Sequence, residues 1–248
     1  MAGAELTGRT ALVTGSTQGI GRAIAEALAA DGATLAVHSP DAAVATRAAA
    51  ELGGTARGFG ADFADARATA GLIPAVAAAL GAVDILVLNA SIEIRQDWLD
   101  VTVDGIRAQH EVNLRATVQL LQAAVPAMRA RRWGRVIAIG SVQEHRGNLS
   151  HLVYVGHKAA QTAMMMTLAR TQGAPDVTFN VVQPGAIHTQ RNNDVLSDPK
   201  FLAELVTHIP AGRVGAPADI VGMVRLLCAG AGSYVNGAIL SVDGGMRL

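Results

Sequence analysis

Short apolar runs alternate along the chain with longer, alanine-rich stretches that have helical periodicity. Each run has the length and the near-continuous apolar character of a strand that is buried on both faces of a parallel sheet. Strands that alternate with helices in this way predict a doubly wound α/β fold, with right-handed crossovers and helices on both faces. We expect about seven strands, over residues 10–13, 33–38, 55–60, 84–89, 135–139, 177–182 and 238–242.

The helical stretches between these runs have recognisable ends. One is predicted from Asp41 to Leu52, and Asp65 is predicted to cap the next, because aspartate is a favoured N-cap residue. The second of these helices contains Pro74, which we expect to kink the helix or to delay its start. Longer helices are predicted over residues 100–129 and 151–170.

The alternation breaks between about residues 186 and 212, where no strand is predicted and a short helical pattern lies near 199–207. An insertion of this length in a compact α/β fold is usually functional. We therefore expect a substrate lid at about 186–212. The chain has no internal repeat and no linker, so we expect a single domain over residues 1–248.

Charge and composition exclude several kinds of partner. The net charge is +0 and no basic cluster occurs beyond residues 129–135, so nucleic acid is not an expected partner. Cys228 is the only cysteine and the seven histidines lack ligand spacing, so we expect no disulfide and no metal site. No apolar stretch is long enough to span a membrane, and residues 1–9 lack the apolar core of a signal peptide. We expect a cytoplasmic protein.

Glycines and polar residues follow the predicted strands where the strands end. Ligands of open parallel sheets bind at these carboxyl ends. The first strand leads through Gly15, Gly19 and Gly21 into a helix, a context in which the backbone can approach a pyrophosphate and the helix N-terminus offers free N–H groups. The sequence therefore predicts a phosphate-binding turn at this edge. Later strand ends carry Asp62, Asn89, Ser141, Pro184 and Gly185.

Tyr154 and Lys158 are four residues apart on a predicted helix, so their side chains lie on one face, one turn apart. A fixed positive charge beside a phenol favours the phenolate. We therefore expect Lys158 to lower the pKa of Tyr154 and to make it a usable general acid or base. The same spacing occurs by chance in amphipathic helices, and its combination with Ser141 and the glycine turn favours chemistry here.

These motifs resemble those of the short-chain dehydrogenase/reductase family over essentially the whole chain. Two positions depart from the family pattern: Ser91 stands where the family often has glycine, and His157 stands before the lysine where serine is usual. The matching segments are Thr14-Gly15-x-x-x-Gly19-Ile-Gly21, Asn89-Ala90, Asn113, Ser141, Tyr154-x-x-x-Lys158, Pro184-Gly185 and Val242-Asp-Gly-Gly245.

The resemblance implies a Rossmann-type, NAD(P)-dependent oxidoreductase that interconverts a ketone or aldehyde and an alcohol. Tyr154 is implied to exchange a proton with the substrate oxygen while hydride moves to or from the nicotinamide. Lys158 is implied to hold the cofactor ribose, Ser141 to hydrogen-bond the substrate oxygen, and Asn113 to hold a water in a proton relay. The implied cofactor-binding residues are Gly15, Ser16, Thr17, Gln18, Gly19, Ile20, Gly21, His38, Ser39, Asp62, Phe63, Asn89, Ala90, Tyr154, Lys158, Pro184, Gly185 and Ile187.

The choice of cofactor depends on the residues after the second strand. Domains that prefer NAD commonly place an acid there to bind the ribose 2′-hydroxyl. Here the strand ends in His38-Ser39-Pro40, with no acid before Asp41, which leaves room for a 2′-phosphate. No arginine follows, Gln18 is not basic, and His38 and Ser39 would donate to a phosphate only weakly. We favour NADP(H) over NAD(H).

The loops expected to line the substrate pocket are polar, which predicts a sugar, polyol or hydroxy acid as substrate. From them we select Gln143, His151 and His188, together with Ser141 and Tyr154, as substrate-binding residues. The loops contain Glu93, Arg95, Gln143, Glu144, His145, His151, His188, Arg191 and Asn192.

Two other functions are weighed against this one. A 3-oxoacyl-thioester reductase is the first, because many similar family members have that activity. A dinucleotide-binding redox sensor without turnover is the second, and it would be expected to have lost Tyr154, Lys158 or Ser141.

The resemblance also implies a homotetramer, built partly on the two long helices. Met164, Met165 and Met166 lie on the second of these helices and would suit burial either in a subunit interface or within the chain.

Overall fold

Seven parallel strands form one sheet in the computed structural model, which describes residues 5–174 and 176–248. The strands are β1 Thr10–Val13, β2 Thr34–Ser39, β3 Arg57–Gly60, β4 Ile85–Leu88, β5 Gly134–Ile139, β6 Val177–Pro184 and β7 Ile239–Val242. They lie in the order β3-β2-β1-β4-β5-β6-β7, which confirms the predicted doubly wound fold. The first four residues, which belong to the segment predicted not to be a signal peptide, lie outside the described residues.

Helices connect the strands and cover both faces of the sheet. They are α1 Gly19–Ala30, α2 Ala42–Leu52, α3 Ala66–Leu80, α4 Val103–His110, α5 Ala116–Arg131, α6 Gln143–Arg146, α7 Leu152–Thr171, α8 Asn193–Leu196, α9 Pro199–Thr207 and α10 Pro217–Cys228. None of the helices in the described parts of the chain is both long enough and apolar enough to cross a membrane.

Strand side chains divide between two apolar layers, because successive residues of a strand point to opposite faces. In β1, Leu12 packs into the layer covered by α3, α5 and α7, whereas Ala11 and Val13 pack into the layer covered by α1 and α10. All residues of β1, β4 and β5 are buried as a result. The near-continuous apolar runs of the sequence reflect this burial on both faces.

The chain reverses its direction of travel across the sheet after β3. β2 pairs with one side of β1, and β4 pairs with the other side. A ligand crevice forms outside the carboxyl ends of the strands at such a switch point. The glycine turn after β1 and Asn89 after β4 are brought together there, although 74 residues separate Gly15 from Asn89.

Asp65 caps α3, as predicted, and Asp41 is the N-cap of α2 rather than its first residue. The Asp65 carboxylate accepts the backbone N–H groups of Arg67 and Ala68. The expected delay at Pro74 does not occur, because α3 begins directly after the cap and continues through the proline to Leu80. The cap satisfies the first turn, and the proline removes one backbone donor further along the helix.

The helix predicted over 100–129 is divided in the structure. Thr102 caps α4, its Oγ1 accepting the Gly105 N–H at 3.1 Å, so the helix begins at Val103. A π turn, Glu111–Arg115, then separates α4 from α5. Such turns insert an extra residue and are frequent at functional sites. A search for 3.6-residue periodicity does not detect them, which is why the sequence predicted one helix.

Gly21 tests the close packing of α1 on the glycine turn. A Cβ at this position would lie 2.3 Å from the Gly15 carbonyl oxygen. We expect Gly21→Ala to lower the free energy of unfolding by about 1–3 kcal/mol, as overpacking does. Gly71→Ala, in α3 with nothing within 4 Å of the added Cβ, should instead raise it by about 0.5–1 kcal/mol. Urea denaturation of both variants checks the pair, and equal effects would contradict the packing argument.

Candidate functional site

A cavity of 1080 Å³ opens at the carboxyl edge of the sheet, beside the switch point. The glycine turn, the ends of β2, β4, β5 and β6, the first turns of α7 and the segment after β6 form its walls. Every residue predicted to bind the cofactor lines this cavity except Ser16. Ser16 is buried, and its hydroxyl accepts the His38 backbone N–H at 3.0 Å.

The glycine turn offers its backbone to a ligand. Gly15 and Gly19 have φ angles of +62° and +56°, in the left-handed region that favours glycine. Gln18, at the N-cap of α1, makes no side-chain capping hydrogen bond, so the first N–H groups of the helix are left for an anion. This donor set and the close backbone approach fit the pyrophosphate of a dinucleotide.

Asn89 holds the glycine turn in place. Its Nδ2 donates to the carbonyl oxygens of Thr14 and Gly15 at 2.9 and 3.0 Å. The Thr14 hydroxyl in turn accepts the N–H groups of Asn89 and Ala90. The side chain that the resemblance assigned to the cofactor therefore also shapes the turn around it.

His38 is fixed by hydrogen bonds to the protein at both ring nitrogens. Nδ1 accepts the Gly15 N–H at 3.0 Å, and Nε2 lies 2.9 Å from the Ala61 carbonyl oxygen, so Nε2 carries the proton. The ring stacks on Phe63 at 4.4 Å between centroids, and burial lowers the pKa of His38 to about 4. The imidazole is neutral at pH 7 and has no free donor for a phosphate. The Ser39 hydroxyl accepts the Asp41 N–H at 3.3 Å.

Tyr154 and Lys158 lie on α7 as predicted, and both line the cavity. Lys158 Nζ is 5.8 Å from the centroid of the Tyr154 ring and donates to the Ile139 carbonyl oxygen at 2.7 Å. Both side chains are buried, at 7% and 3% exposure. The hydrogen bond to Ile139, at the end of β5, therefore holds the lysine ammonium near the Tyr154 ring.

Burial dominates the electrostatics of this pair. It raises the pKa of Tyr154 to about 12 and lowers the pKa of Lys158 to about 7. The expected lowering of the tyrosine pKa by Lys158 is thus not what the structure gives, because burial penalises the charged form of both groups. Tyr154 holds its proton at pH 7, and Lys158 titrates near neutrality.

A buried chain of hydrogen bonds runs from Lys158 to Asn113. Lys158 Nζ donates to Gln161 Oε1 at 3.4 Å, and Gln161 Nε2 donates to Thr117 Oγ1 at 3.0 Å. Thr117 Oγ1 donates to the Asn113 carbonyl oxygen at 3.0 Å. Sequence reasoning missed Gln161 and Thr117, although a glutamine three residues after the lysine, on the same helix face, was a usable signal.

Asn113 lies in the π turn and does not itself line the cavity, unlike its neighbour Val112. Both ends of its side-chain amide pair with the backbone of Ile92, with Oδ1 accepting the N–H and Nδ2 donating to the carbonyl oxygen, each at 2.8 Å. The side chain thus anchors the loop after β4. The backbone carbonyl is the Asn113 group that joins the chain to Lys158.

Ser141 follows β5 and lines the cavity with its hydroxyl proton still available. Its Oγ accepts the Gln143 N–H at 3.2 Å, and its backbone N–H donates to Glu144 Oε1 at 3.0 Å. The hydroxyls of Ser141 and Ser91 act on Tyr154 against the effect of burial on its pKa. Ser141 and Tyr154 can therefore address the same ligand oxygen.

A partly buried ion-pair cluster forms one wall of the cavity. Glu93 Oε1 lies 2.6 Å from His151 Nε2 and 2.8 Å from Arg95 Nε. Burial by itself would raise the pKa of Glu93, but hydrogen bonds from His151 and Arg95 outweigh it and bring the pKa to about 2. His151 Nδ1 also lies 2.9 Å from the Ser150 hydroxyl, so both its ring nitrogens have protein partners.

The segment between β6 and α10 forms part of the cavity wall. Arg191 donates to the hydroxyl and the carbonyl oxygen of Ser91, and Arg95 donates to Asn192 Oδ1 at 2.9 Å. These bonds join the segment to the loop after β4. Its helices α8 and α9 contribute an apolar wall made of Leu196, Phe201 and Leu205.

Not every predicted pocket residue reaches the cavity. Gln143 and His151 line it, but His188 does not: it is exposed, and its backbone N–H donates to the Gly215 carbonyl oxygen. Glu144 and His145 are likewise outside the lining, the latter pairing with Gln183 at 3.1 Å. Within residues 5–174 and 176–248, no group of three or more metal-ligating side chains occurs.

The pKa of Lys158 predicts a pH dependence of stability. The unfolded chain keeps the lysine proton up to about pH 10.4, whereas the folded chain releases it near pH 7. The unfolded state therefore binds more protons between these values, and this group makes the free energy of unfolding rise with pH, by at most about 1.4 kcal/mol per unit. Urea denaturation from pH 7 to 9 should give a flatter profile for Lys158→Met than for wild type. Lys200→Met, at an exposed position, is the control and should keep the wild-type profile.

Known proteins resemble this chain over nearly its whole length. A family profile described as "Enoyl-(Acyl carrier protein) reductase" matches residues 15–247. The 3-oxoacyl-(acyl-carrier-protein) reductase FabG of Salmonella typhimurium is 35% identical over 241 residues, which is 97% of this chain and 98% of that protein.

Solved structures agree with the sequence relatives. The gluconate 5-dehydrogenase of Burkholderia cenocepacia, in complex with NADP and tartrate, superposes with a TM-score of 0.92 at 32% identity, covering 97% of this chain and 96% of that one. A short chain dehydrogenase/reductase family protein superposes with a TM-score of 0.89 at 36% identity, covering 98% and 99%. The chain belongs to the short-chain dehydrogenase/reductase family and is an NAD(P)-linked oxidoreductase.

Proposed function

We propose that this enzyme uses NADP(H) to interconvert a carbonyl and an alcohol on a hydroxylated substrate, of the sugar, polyol or hydroxy acid class. The observation that carries the proposal is the convergence of Tyr154, Lys158 and Ser141 on one cavity with the uncapped glycine turn. A redox sensor without turnover would have no use for this complete set.

The geometry of the cavity supports a role for each of these residues. The nicotinamide, when bound, supplies or accepts the hydride. Tyr154 is protonated at neutral pH, because burial raises its pKa to about 12, so it acts as the proton donor to the substrate oxygen during reduction. Ser141 donates to the same oxygen, where negative charge develops. Lys158 holds the cofactor ribose, and the hydrogen-bonded chain through Gln161 and Thr117 to the Asn113 carbonyl fixes the position of its ammonium.

NADP(H) remains our proposed cofactor. No acid lies between Ser39 and Asp41, and the Asp41 carboxylate is occupied in accepting the N–H groups of Ala43 and Val44. NADP is bound in the related gluconate 5-dehydrogenase structure. Because His38 has no free donor, the Ser39 hydroxyl is the group at the end of β2 that we propose to contact the 2′-phosphate.

The walls of the cavity support two substrate classes to different degrees. The cluster of Glu93, Arg95 and His151 supports a hydroxylated substrate, as does the name of the gluconate 5-dehydrogenase relative. The apolar wall of α8 and α9 supports the alternative, a 3-oxoacyl-thioester reductase, as does the name of the FabG relative. We favour the first class because the polar cluster lies on the same wall as Ser91, next to Tyr154.

The organisation of the chain is part of the proposal. We propose a single domain over residues 1–248, with a substrate lid at about 186–212.

We also propose a homotetramer. The exposed apolar side chains of Val103, Ile106 and Leu152, on α4 and α7, support a subunit interface there, whereas Met165 is buried within the chain. Light scattering should give four times the chain mass of 25.4 kDa. The cytoplasmic location is a further proposal, which cell fractionation would test.

Tyr154→Phe should reduce kcat on the order of 10³-fold, because it removes the proton that general acid catalysis requires. The Kd for NADPH, measured by fluorescence, should change little, since the ring is kept. Tyr234→Phe is the matched control: Tyr234 is fully exposed, at 100%, and its replacement should leave turnover unchanged. Turnover by Tyr154→Phe at the wild-type rate would exclude the assigned role.

A substrate panel followed at 340 nm should show turnover of sugars, polyols or hydroxy acids, with a higher kcat/KM for NADP(H) than for NAD(H). Acyl thioesters and apolar ketones serve as the comparison set. Activity confined to that set would favour the 3-oxoacyl reductase, and tighter binding of NADH than of NADPH would overturn the cofactor assignment.

A further inference from the structure

Arg191 lines the cavity and hydrogen-bonds to a residue far away in the sequence. It lies in the turn Gln190–Asn192, and its Nη1 donates to the Ser91 hydroxyl at 3.1 Å while Nη2 donates to the Ser91 carbonyl oxygen. One hundred positions separate the two residues. Ser91 stands where the family often has glycine, so the hydroxyl that receives Arg191 is a departure of this chain from the family pattern.

The guanidinium of Arg191 has no counter-ion among the residues that the structure describes. In the described residues, no carboxylate oxygen lies within 4.0 Å of its guanidinium nitrogens. Glu93, the acid on the same wall, is already paired with both Arg95 and His151. A guanidinium has five N–H donors, and Ser91 receives two of them, so three donors remain for a ligand.

This charge acts directly on the reacting groups. Burial has the largest effect on the pKa of both Tyr154 and Lys158. The charge of Arg191 has the second largest effect, and it lowers both pKa values. Arg191 also lines the same cavity as these two residues. A ligand bound to the free donors of Arg191 would therefore share the cavity with the phenol that exchanges the proton.

Carboxylates are the organic anions that suit this arrangement. A guanidinium forms bidentate, charge-assisted hydrogen bonds with a carboxylate, and its planar geometry fixes the orientation of the partner. Ser91 holds the guanidinium before the ligand arrives, which lowers the entropy cost of binding. Neutral sugars and polyols make no use of the free charge, and an acyl thioester has no carboxylate next to its reacting carbonyl.

We propose that Arg191 is the carboxylate-binding residue of the substrate pocket, and that the substrate is a hydroxy acid or the corresponding oxo acid. Its carboxylate would pair with Arg191 while the carbon that is oxidised or reduced faces Tyr154. This inference rests on the proposed function and selects one member of its substrate class.

The first experiment compares matched substrates. Gluconate and tartrate are each assayed against their primary amides, which keep the carbon skeleton and remove the charge. We expect the wild-type enzyme to prefer the acids by about 10-fold or more in kcat/KM, mainly through KM. Arg191→Gln should abolish this preference, and Arg191→Lys should keep part of it. Arg146→Gln removes an equal charge from the exposed rim of the same cavity and should keep the preference.

The second experiment does not depend on turnover. Tartrate binding to the Tyr154→Phe variant is measured by calorimetry in the presence of NADP, and Arg191→Gln is then added to that variant. The Kd for tartrate should rise about 10-fold or more, while the Kd for NADP stays within about twofold. Circular dichroism of the double variant establishes that it is folded.

The outcomes separate the two proposals. If sugars or polyols are turned over while the acids are inert, and Arg191→Gln leaves tartrate binding unchanged, the proposed function stands and the role of Arg191 is refuted. Failure of tartrate to bind the Tyr154→Phe variant would also refute that role. If no hydroxyl or carbonyl compound is turned over with either cofactor, the proposed function fails, and the binding measurement still decides whether Arg191 binds carboxylates.

Discussion

The site depends on one crossing point, where the amide of Asn89 ties the end of β4 to the turn after β1. The two Nδ2 hydrogen bonds fix the carbonyl oxygens of Thr14 and Gly15, and Gly21 packs against the same Gly15 oxygen. The path of the turn, the start of α1 and the spacing of β1 and β4 are thus set together. His38 completes the junction from β2 by accepting the Gly15 N–H. Four segments of the chain meet here with little freedom to shift separately.

Burial gives the two ends of the cavity different electrostatic character. His38 is neutral above a pKa of about 4, so this side chain beside the glycine turn does not change its charge in the neutral range. Lys158 has a pKa of about 7, so the end that carries Tyr154 does. Both shifts arise from the removal of water from a titratable group. At His38 the hydrogen bonds to Gly15 and Ala61 then determine which ring nitrogen carries the proton. At Lys158 the hydrogen bond to the Ile139 carbonyl oxygen holds the ammonium in place.

The sheet and the location of the site followed from the sequence because they depend on local patterns. Apolar runs and glycine turns have a fixed period or order, and parallel strands bring their carboxyl ends together. The contacts that shape the cavity have no such pattern. Glu93 with His151 and Arg191 with Ser91 join residues that are distant in sequence, and their pairing requires the folded chain. The pKa of Tyr154 was expected to fall and instead rises, because burial cannot be read from a spacing of four residues.

The π turn at Glu111–Arg115 also sets the rotational phase of the helix that precedes it. One extra residue rotates everything before it by about 100° relative to α5. Counting back from the core-facing residues of α5 in steps of 3.6 would bring Ile106 and His110 onto the core face. The structure instead buries Gly105 and Gln109 and leaves Ile106 44% exposed. The turn that anchors Asn113 beneath the site therefore also directs the apolar side chains of α4 outwards, away from their own core.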